Sequence, residues 1–84
     1  MSEQLVGKVS DFFSRPVVAA VELSEDLMVG DRIRIKGHTT DLDVVVTSMQ
    51  IDNTNVEKAG KGDSVGIKIT DRVRRGDEVF KVVD

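Results

Sequence analysis

A seven-residue pattern that occurs three times in the 84-residue chain constrains most strongly what it can fold into. Each copy contains an apolar residue, two variable residues, the pair Gly-Asp, one variable residue and a β-branched residue. Glycine tolerates positive φ, and an aspartate carboxylate can accept hydrogen bonds from nearby backbone N–H groups. We therefore predict three similar structural turns, each opening a strand, with positive φ in at least two of the glycines. The turn residues are Gly30 and Asp31, Gly62 and Asp63, and Gly76 and Asp77.

Short runs in which apolar and polar residues alternate lie between these turns and predict β-strands. The clearest run is residues 32–36, in which Ile33 and Ile35 face inward and the intervening cations face outward. A longer run, residues 42–51, shifts its alternation by one residue, which predicts a bulge or sharp bend near Thr47-Ser48. No apolar repeat with the helical period appears, so we expect at most one helical turn, within residues 53–59.

Six such runs predict an all-β fold in a single domain spanning residues 1–84, with residues 1–4 as a flexible terminus. Valine and isoleucine, which favour strands, account for 20 of the 84 residues. An open sheet of this length would leave two edges and one bare face in water. Closing the sheet removes both problems, so the predicted architecture is a closed six-stranded antiparallel β-barrel with Greek-key-like connections.

Composition narrows the chemistry and the location that we expect. The chain has no cysteine, so it cannot contain a disulfide, a thiol nucleophile or a cysteine-based zinc site. No apolar run approaches the roughly 18 residues of a membrane-spanning helix, and no secretory leader is visible. We therefore expect a cytoplasmic protein without a membrane partner. The net charge of −3 is unlike that of a protein that coats nucleic acid indiscriminately.

The residues that would carry catalysis or nucleotide binding are absent or isolated. The phosphate-binding loop of GTPases needs spaced glycines that lead into Gly-Lys-Ser/Thr. The nearest strings, residues 7–9 and 60–62, lack the spacing and the hydroxyl, so we expect no GTP binding. The single histidine, His38, has Asp41 and Asp43 nearby in sequence, but a hairpin rich in polar residues explains them more simply than a catalytic or metal site. We expect no enzymatic activity, no cofactor and no metal.

Two groups of cations form the candidate surface for a partner. The first group would make a ladder along one strand, with neighbours about 6.5–7 Å apart, and the second would crowd the last turn. Each group is either an ordinary solvated surface or a phosphate-facing surface for RNA. The two groups are Arg32, Arg34 and Lys36, and Arg72, Arg74 and Arg75.

Two adjacent aromatic residues offer a further candidate. Because neighbouring side chains on a strand point to opposite faces, one ring of the pair Phe12 and Phe13 must face outward. We expect that ring to be buried under the loop that follows. The alternative is a ring that contacts a base or a partner protein.

Four segments resemble known proteins, namely residues 6–9, 29–35, 46–49 and 56–67. Together they resemble the second domain of translational GTPases such as elongation factor Tu, over about residues 5–83. They are also similar to the C-terminal barrel of a collagenase-like peptidase family. The first resemblance implies a six-stranded barrel that lacks the GTPase motor and contacts ribosomal RNA or transfer RNA.

The main prediction from this resemblance is a non-catalytic binding module, a translation elongation factor-like protein with RNA or the ribosome as its partner. Two alternatives stay open. One is a protein–protein adaptor, and the other is an accessory domain of a separately encoded enzyme, as the peptidase-type barrels imply. Salt dependence separates these hypotheses, because phosphate contacts weaken steeply as salt rises whereas apolar docking does not.

Overall fold

The computed structural model describes residues 2–83, and this part of the chain consists of ten β-strands joined by turns. It contains no helix, in agreement with the all-β prediction, and hence none long and apolar enough to cross a membrane. The strands are β1 (Ser2–Ser14), β2 (Val17–Leu23), β3 (Leu27–Met28), β4 (Arg32–Lys36), β5 (Asp41–Val45), β6 (Met49–Ile51), β7 (Thr54–Val56), β8 (Lys58–Ala59), β9 (Ser64–Lys68) and β10 (Glu78–Val83).

Eight strands form one antiparallel sheet in the order β5-β4-β10-β1-β2-β9-β6-β7, and β3 pairs with β8 in a separate two-stranded ribbon. The closed six-stranded barrel is not confirmed, because the hydrogen-bonded order is open and ends at β5 and β7. The strands β5 and β6 are the two halves of the run predicted as one strand, separated at residues 46–48, where the bend was predicted. Residues 46–48 therefore connect β5, at one edge of the sheet, to β6, which lies next to the strand at the other edge.

The β6–β7 hairpin occupies the region where a helical turn was expected, and that expectation is wrong. Its two-residue turn has φ of 51° at Asp52 and 63° at Asn53. Left-handed backbone at both positions is what a tight two-residue hairpin turn requires, and Asp and Asn tolerate it better than most residues.

The first strand begins earlier in the chain than predicted. Ser2 pairs with Val83 and Glu3 with Val82, so residues 2–4 lie in β1, where a flexible terminus was expected. Met1, the remaining residue of that expected terminus, lies outside the described residues.

The three Gly-Asp turns share one geometry, and their glycines have φ of +99°, +90° and +93°. Position i+2 of a type II turn requires such a φ, so the predicted positive φ is confirmed at all three. In each turn the aspartate N–H donates to the carbonyl three residues earlier, and the aspartate carboxylate accepts from the N–H of that same residue. The carboxylate distances are 3.0 Å for Asp31, 2.9 Å for Asp63 and 2.8 Å for Asp77.

Each turn is also fastened to a residue on a distant strand or corner. The glycine N–H donates to the carbonyl of that residue, whose own N–H donates to the aspartate carbonyl, all at 2.8–2.9 Å. The three anchored residues are Val46, Leu23 and Val9, and all three are buried. The turns therefore hold core positions in register, as expected of structural corners.

The core lies on the inward side of the strands. Ile33 and Ile35 are fully buried, which confirms the alternation predicted for β4, and Ala19 and Val21 are fully buried on β2. The other buried apolar residues are Val6, Val9, Leu23, Leu27, Val46, Met49, Val65, Ile67, Ile69, Val73 and Val79. Side chains on the opposite side of each strand are left on the outer face, where the candidate sites lie.

Candidate functional site

The predicted basic ladder (Arg32, Arg34 and Lys36) lies on the outer face of β4, but carboxylates cover it. The Arg32 guanidinium makes two hydrogen bonds to Asp43, at 2.8 and 2.9 Å. Glu3 bridges the other two cations, at 3.2 Å from Arg34 Nη1 and 2.6 Å from Lys36 Nζ. Asp41 Oδ1 lies 3.3 Å from Arg34 Nε. Three carboxylates thus face three cations.

The pKa values of this network report the same pairing. Hydrogen bonds from Lys36 and then from Arg34 hold the pKa of Glu3 below its ordinary value. The hydrogen bond from Arg32 lowers the pKa of Asp43 in the same way, and the hydrogen bond to Glu3 raises the pKa of Arg34. An anionic ligand would have to displace these carboxylates before it could use the ladder.

The second group of cations does not extend the ladder. The Arg72 guanidinium lies over the Phe12 ring, 5.8 Å from its centroid, and Arg75 Nη2 lies 3.7 Å from Asp11 Oδ1. Arg72 and Arg74 line a cleft of about 320 Å³ that residues 39–42 close on its other side. The RNA-binding role of the six cations remains a prediction of the sequence.

A different surface, which we call the outer trough, lies over β2 and β9, and β10 and β1 separate it from β4 in the sheet. Its floor consists of Val18 and Ala20 on β2 and of Gly66 on β9, and its sides are Phe13 on β1 and Gln50 on β6. The volume of the trough is about 610 Å³. Period-2 alternation explains the floor, because Ala19 and Val21 point into the core and leave their neighbours outside.

The strand register brings the trough residues together. Phe13 pairs with Val18, Ala20 pairs with Gly66, and Gly66 pairs with Gln50. Three neighbouring outward positions therefore carry a small side chain or none, and a large side chain stands at either side. The signal in the sequence was that two of the three outward positions of β2, Val18 and Ala20, are apolar, whereas all three outward positions of β4 are charged.

Phe13 is the most conspicuous residue of the outer trough. Phe12 packs against the core, but Phe13 is 52% exposed, so the expected burial of the outward ring is wrong. The reason is the connection between β1 and β2, which consists of Arg15 and Pro16 only. This two-residue turn, whose peptide bond is cis, leads directly into β2 and leaves no loop to cover the ring.

Polar groups line the rim of the trough. Arg15, Asn53 and Ser64 are exposed there, and Arg15 has no ion-pair partner among residues 2–83. Gln50 Nε2 donates to Asn55 Oδ1 at 3.0 Å, which fixes the orientation of the Gln50 amide. The rim can therefore donate hydrogen bonds to a ligand that lies on an apolar floor. No group of three or more potential metal ligands occurs in the described part of the chain.

Comparison with known proteins identifies relatives in which a segment similar to this chain forms only a part. The chain is 46% identical over 76 residues to an uncharacterized protease from Methanocaldococcus jannaschii, and this match covers 89% of the chain and 19% of the relative. It is 37% identical over 78 residues to a collagenase from Porphyromonas gingivalis, covering 90% of the chain and 22% of that protein. The chain thus spans about a fifth of the length of the curated relatives it matches. No family model matches it.

Solved structures show the same fold. The C-terminal domain of a Geobacillus thermoleovorans protein assigned to the U32 peptidases superposes with a TM-score of 0.88 and 14% identity, covering 95% of this chain and 93% of that one. Its selenomethionine variant gives a TM-score of 0.85 at 14% identity, covering 90% and 96%. The chain is similar to the C-terminal domain of U32 peptidases and collagenases.

These comparisons correct the prediction of function. The relatives are proteases and collagenases, so the prediction of a translation elongation factor-like protein is wrong. The resemblance to the second domain of elongation factor Tu is not shown, whereas the similarity to the collagenase-like peptidase family is confirmed. The motifs that suggested both families are mostly turns and strand starts. They specify corners of the fold and carry no information about a partner.

Proposed function

We propose that this chain is a non-catalytic accessory domain that binds polypeptide for a U32-type peptidase. The observation that carries the proposal is the 46% identity to a protease over a region that makes up only 19% of that protein. A segment of this size, with its own core and strand order, can act as a separate binding unit beside a catalytic domain. The collagenase among the relatives suggests unfolded, collagen-type polypeptide as the substrate class.

The outer trough supports a binding role. Its floor is apolar, its floor and sides together come from four strands of one sheet, and its rim carries hydrogen-bond donors, which is the usual composition of a ligand site. Because the floor belongs to paired strands, its shape is fixed before a ligand arrives. A rigid surface of this kind loses little conformational entropy on binding.

A domain exchange in the Porphyromonas gingivalis collagenase tests the proposal. Three enzymes are compared: the parent, a deletion lacking the 78 matched residues, and a hybrid carrying this chain in their place. We expect the deletion to cleave gelatin at least about tenfold more slowly than the parent, because a tethered binding domain raises the local concentration of substrate. The hybrid is expected to recover most of that loss.

Cleavage of a short peptide, too small to reach the accessory domain, is the control. We expect all three enzymes to cleave it at similar rates, which also shows that the catalytic domain is folded. A hybrid that cleaves the short peptide normally but gelatin no faster than the deletion would contradict the proposal.

A further inference from the structure

We propose that the outer trough binds an extended, proline-bearing polypeptide in the polyproline II conformation. The proposal deepens the proposed function and rests on it, since it names the site and the conformation of the polypeptide that the accessory domain would hold. Three properties of the trough carry it, namely the floor, the exposed aromatic ring and the donors on the rim.

The floor allows a ligand backbone to come close to the sheet. Gly66 has no side chain, and its partner Ala20 has only a methyl group. A Cβ on Gly66 would lie 3.3 Å from Val18 Cγ1, so even one added methyl group would crowd this part of the floor. A glycine in a strand often marks such an approach of another chain.

Phe13 provides the wall against which a proline ring can pack. Phe13 is 52% exposed. It pairs with Val18 and lies at the edge of the trough opposite Gln50. Three strand spacings separate β1 from β6, which with the offset in register gives about 15 Å between these two residues. At about 3.1 Å per residue, a polyproline II segment of four to five residues spans that width. Aromatic-lined grooves are the usual receptors for such segments.

The rim matches the hydrogen-bonding pattern of such a ligand. A polyproline II chain makes no internal hydrogen bonds, and its prolines have no N–H, so it presents mainly carbonyl acceptors. Arg15, Gln50, Asn53 and Ser64 can all donate. Among the described residues that line the trough, Arg15 is the one cation and Asp52 the one carboxylate, so the surface has little net charge and offers mainly hydrogen-bond donors to carbonyl oxygens. This complementarity distinguishes the trough from the ion-paired ladder on β4.

The chain has no tryptophan and no tyrosine, so a tryptophan on the ligand is the sole strong fluorophore in a mixture. The probe is decaproline with an N-terminal tryptophan, and the measurement is its fluorescence anisotropy as the full chain is titrated. We expect saturable binding with a Kd on the order of 100 μM, nearly independent of salt because the proline rings and carbonyl groups of the ligand carry no charge. A tryptophan-capped glycine-serine peptide of equal length is expected not to bind.

Two variants test whether the ligand binds in the trough. Phe13→Ser is expected to weaken binding about tenfold or more, as for the loss of an anchoring aromatic residue. Gly66→Ala, which adds a methyl group to the floor, is expected to weaken it to a lesser degree. Met28→Ser is the matched control, because Met28 is also 52% exposed but lies outside the trough, and its affinity is expected to equal that of the wild type.

Three results would overturn the inference: no binding of the decaproline probe, equal binding of the glycine-serine peptide, or wild-type affinity in both trough variants. These outcomes are separable from failure of the proposed function. One such outcome is that Phe13→Ser abolishes gelatin cleavage by the hybrid enzyme while the wild-type chain does not bind decaproline. The trough would then be the surface that contacts the catalytic part of the peptidase. In that case the accessory function stands and the polyproline ligand is rejected.

Discussion

Replacing Gly7 by alanine is expected to destabilise the protein by about 2–3 kcal/mol, the cost of overpacking a rigid core. Gly7 is buried in β1, paired with Leu23 on one side and Val79 on the other. A Cβ there would lie 2.5 Å from the carbonyl oxygen of Glu22 and 2.9 Å from Val21 Cγ1. The carbonyl belongs to a central strand and cannot retreat without breaking ladder hydrogen bonds.

Urea unfolding monitored by circular dichroism measures this loss of stability. Gly66→Ala is the matched control, because it also adds a methyl group to a strand but approaches only the partly exposed Val18 side chain, at 3.3 Å, and no backbone atom. We expect its stability to change by less than about 1 kcal/mol. A Gly7→Ala variant as stable as the wild type would mean that β1 and β2 pack less closely than the structure shows.

Asp77→Ala is expected to cost about 2 kcal/mol, because it leaves a partly buried N–H group without its acceptor. The Asp77 carboxylate accepts from the Arg74 N–H at 2.8 Å, and the residue is 6% exposed. It packs against Gly37, where a Cβ would overlap the carboxylate. The substitution therefore removes a hydrogen bond and opens a gap beneath the last turn.

The equivalent substitution in the first turn is the comparison. Asp31 makes the same hydrogen bond to the Met28 N–H, at 3.0 Å, but this bond is exposed to water. Water can replace the lost acceptor, so we expect Asp31→Ala to cost about 0.5–1 kcal/mol. Thermal unfolding of both variants under one set of conditions gives the ranking. Equal losses would show that burial does not set the strength of the turn.

Local features of the fold could be predicted from the sequence. The turns at Gly30, Gly62 and Gly76 were predictable because glycine is the residue that adopts positive φ at little cost, and Asp follows it each time. The burial of Ile33 and Ile35 was predictable because alternation along a strand needs no knowledge of its neighbours.

Features that depend on strand order could not be predicted. Glu3 neutralises Arg34 and Lys36, more than 30 residues away, because β10 lies between β1 and β4 and brings the three side chains within reach. Composition identified the cations but not the carboxylates that face them. The basic ladder was therefore predicted as a surface and found as an ion-pair network.

The outer trough was missed for the same reason. Ala20 and Gly66 form its floor only because β2 pairs with β9 in one register, and the two residues are far apart in the chain. Phe13 was identified as a candidate, but its exposure depends on the length of the turn that follows. Small outward residues on an alternating strand are the signal that sequence alone could have offered.

Surface plasmon resonance on immobilised gelatin tests most directly the claim that the chain binds polypeptide without cleaving it. Reversible binding raises the signal and returns it to the baseline, whereas cleavage releases mass and lowers the baseline permanently. We predict a saturable, reversible response of the wild-type chain, strongly reduced in Phe13→Ser, with a constant baseline over repeated injections. A falling baseline, or no response at concentrations that saturate the decaproline probe, would contradict the account.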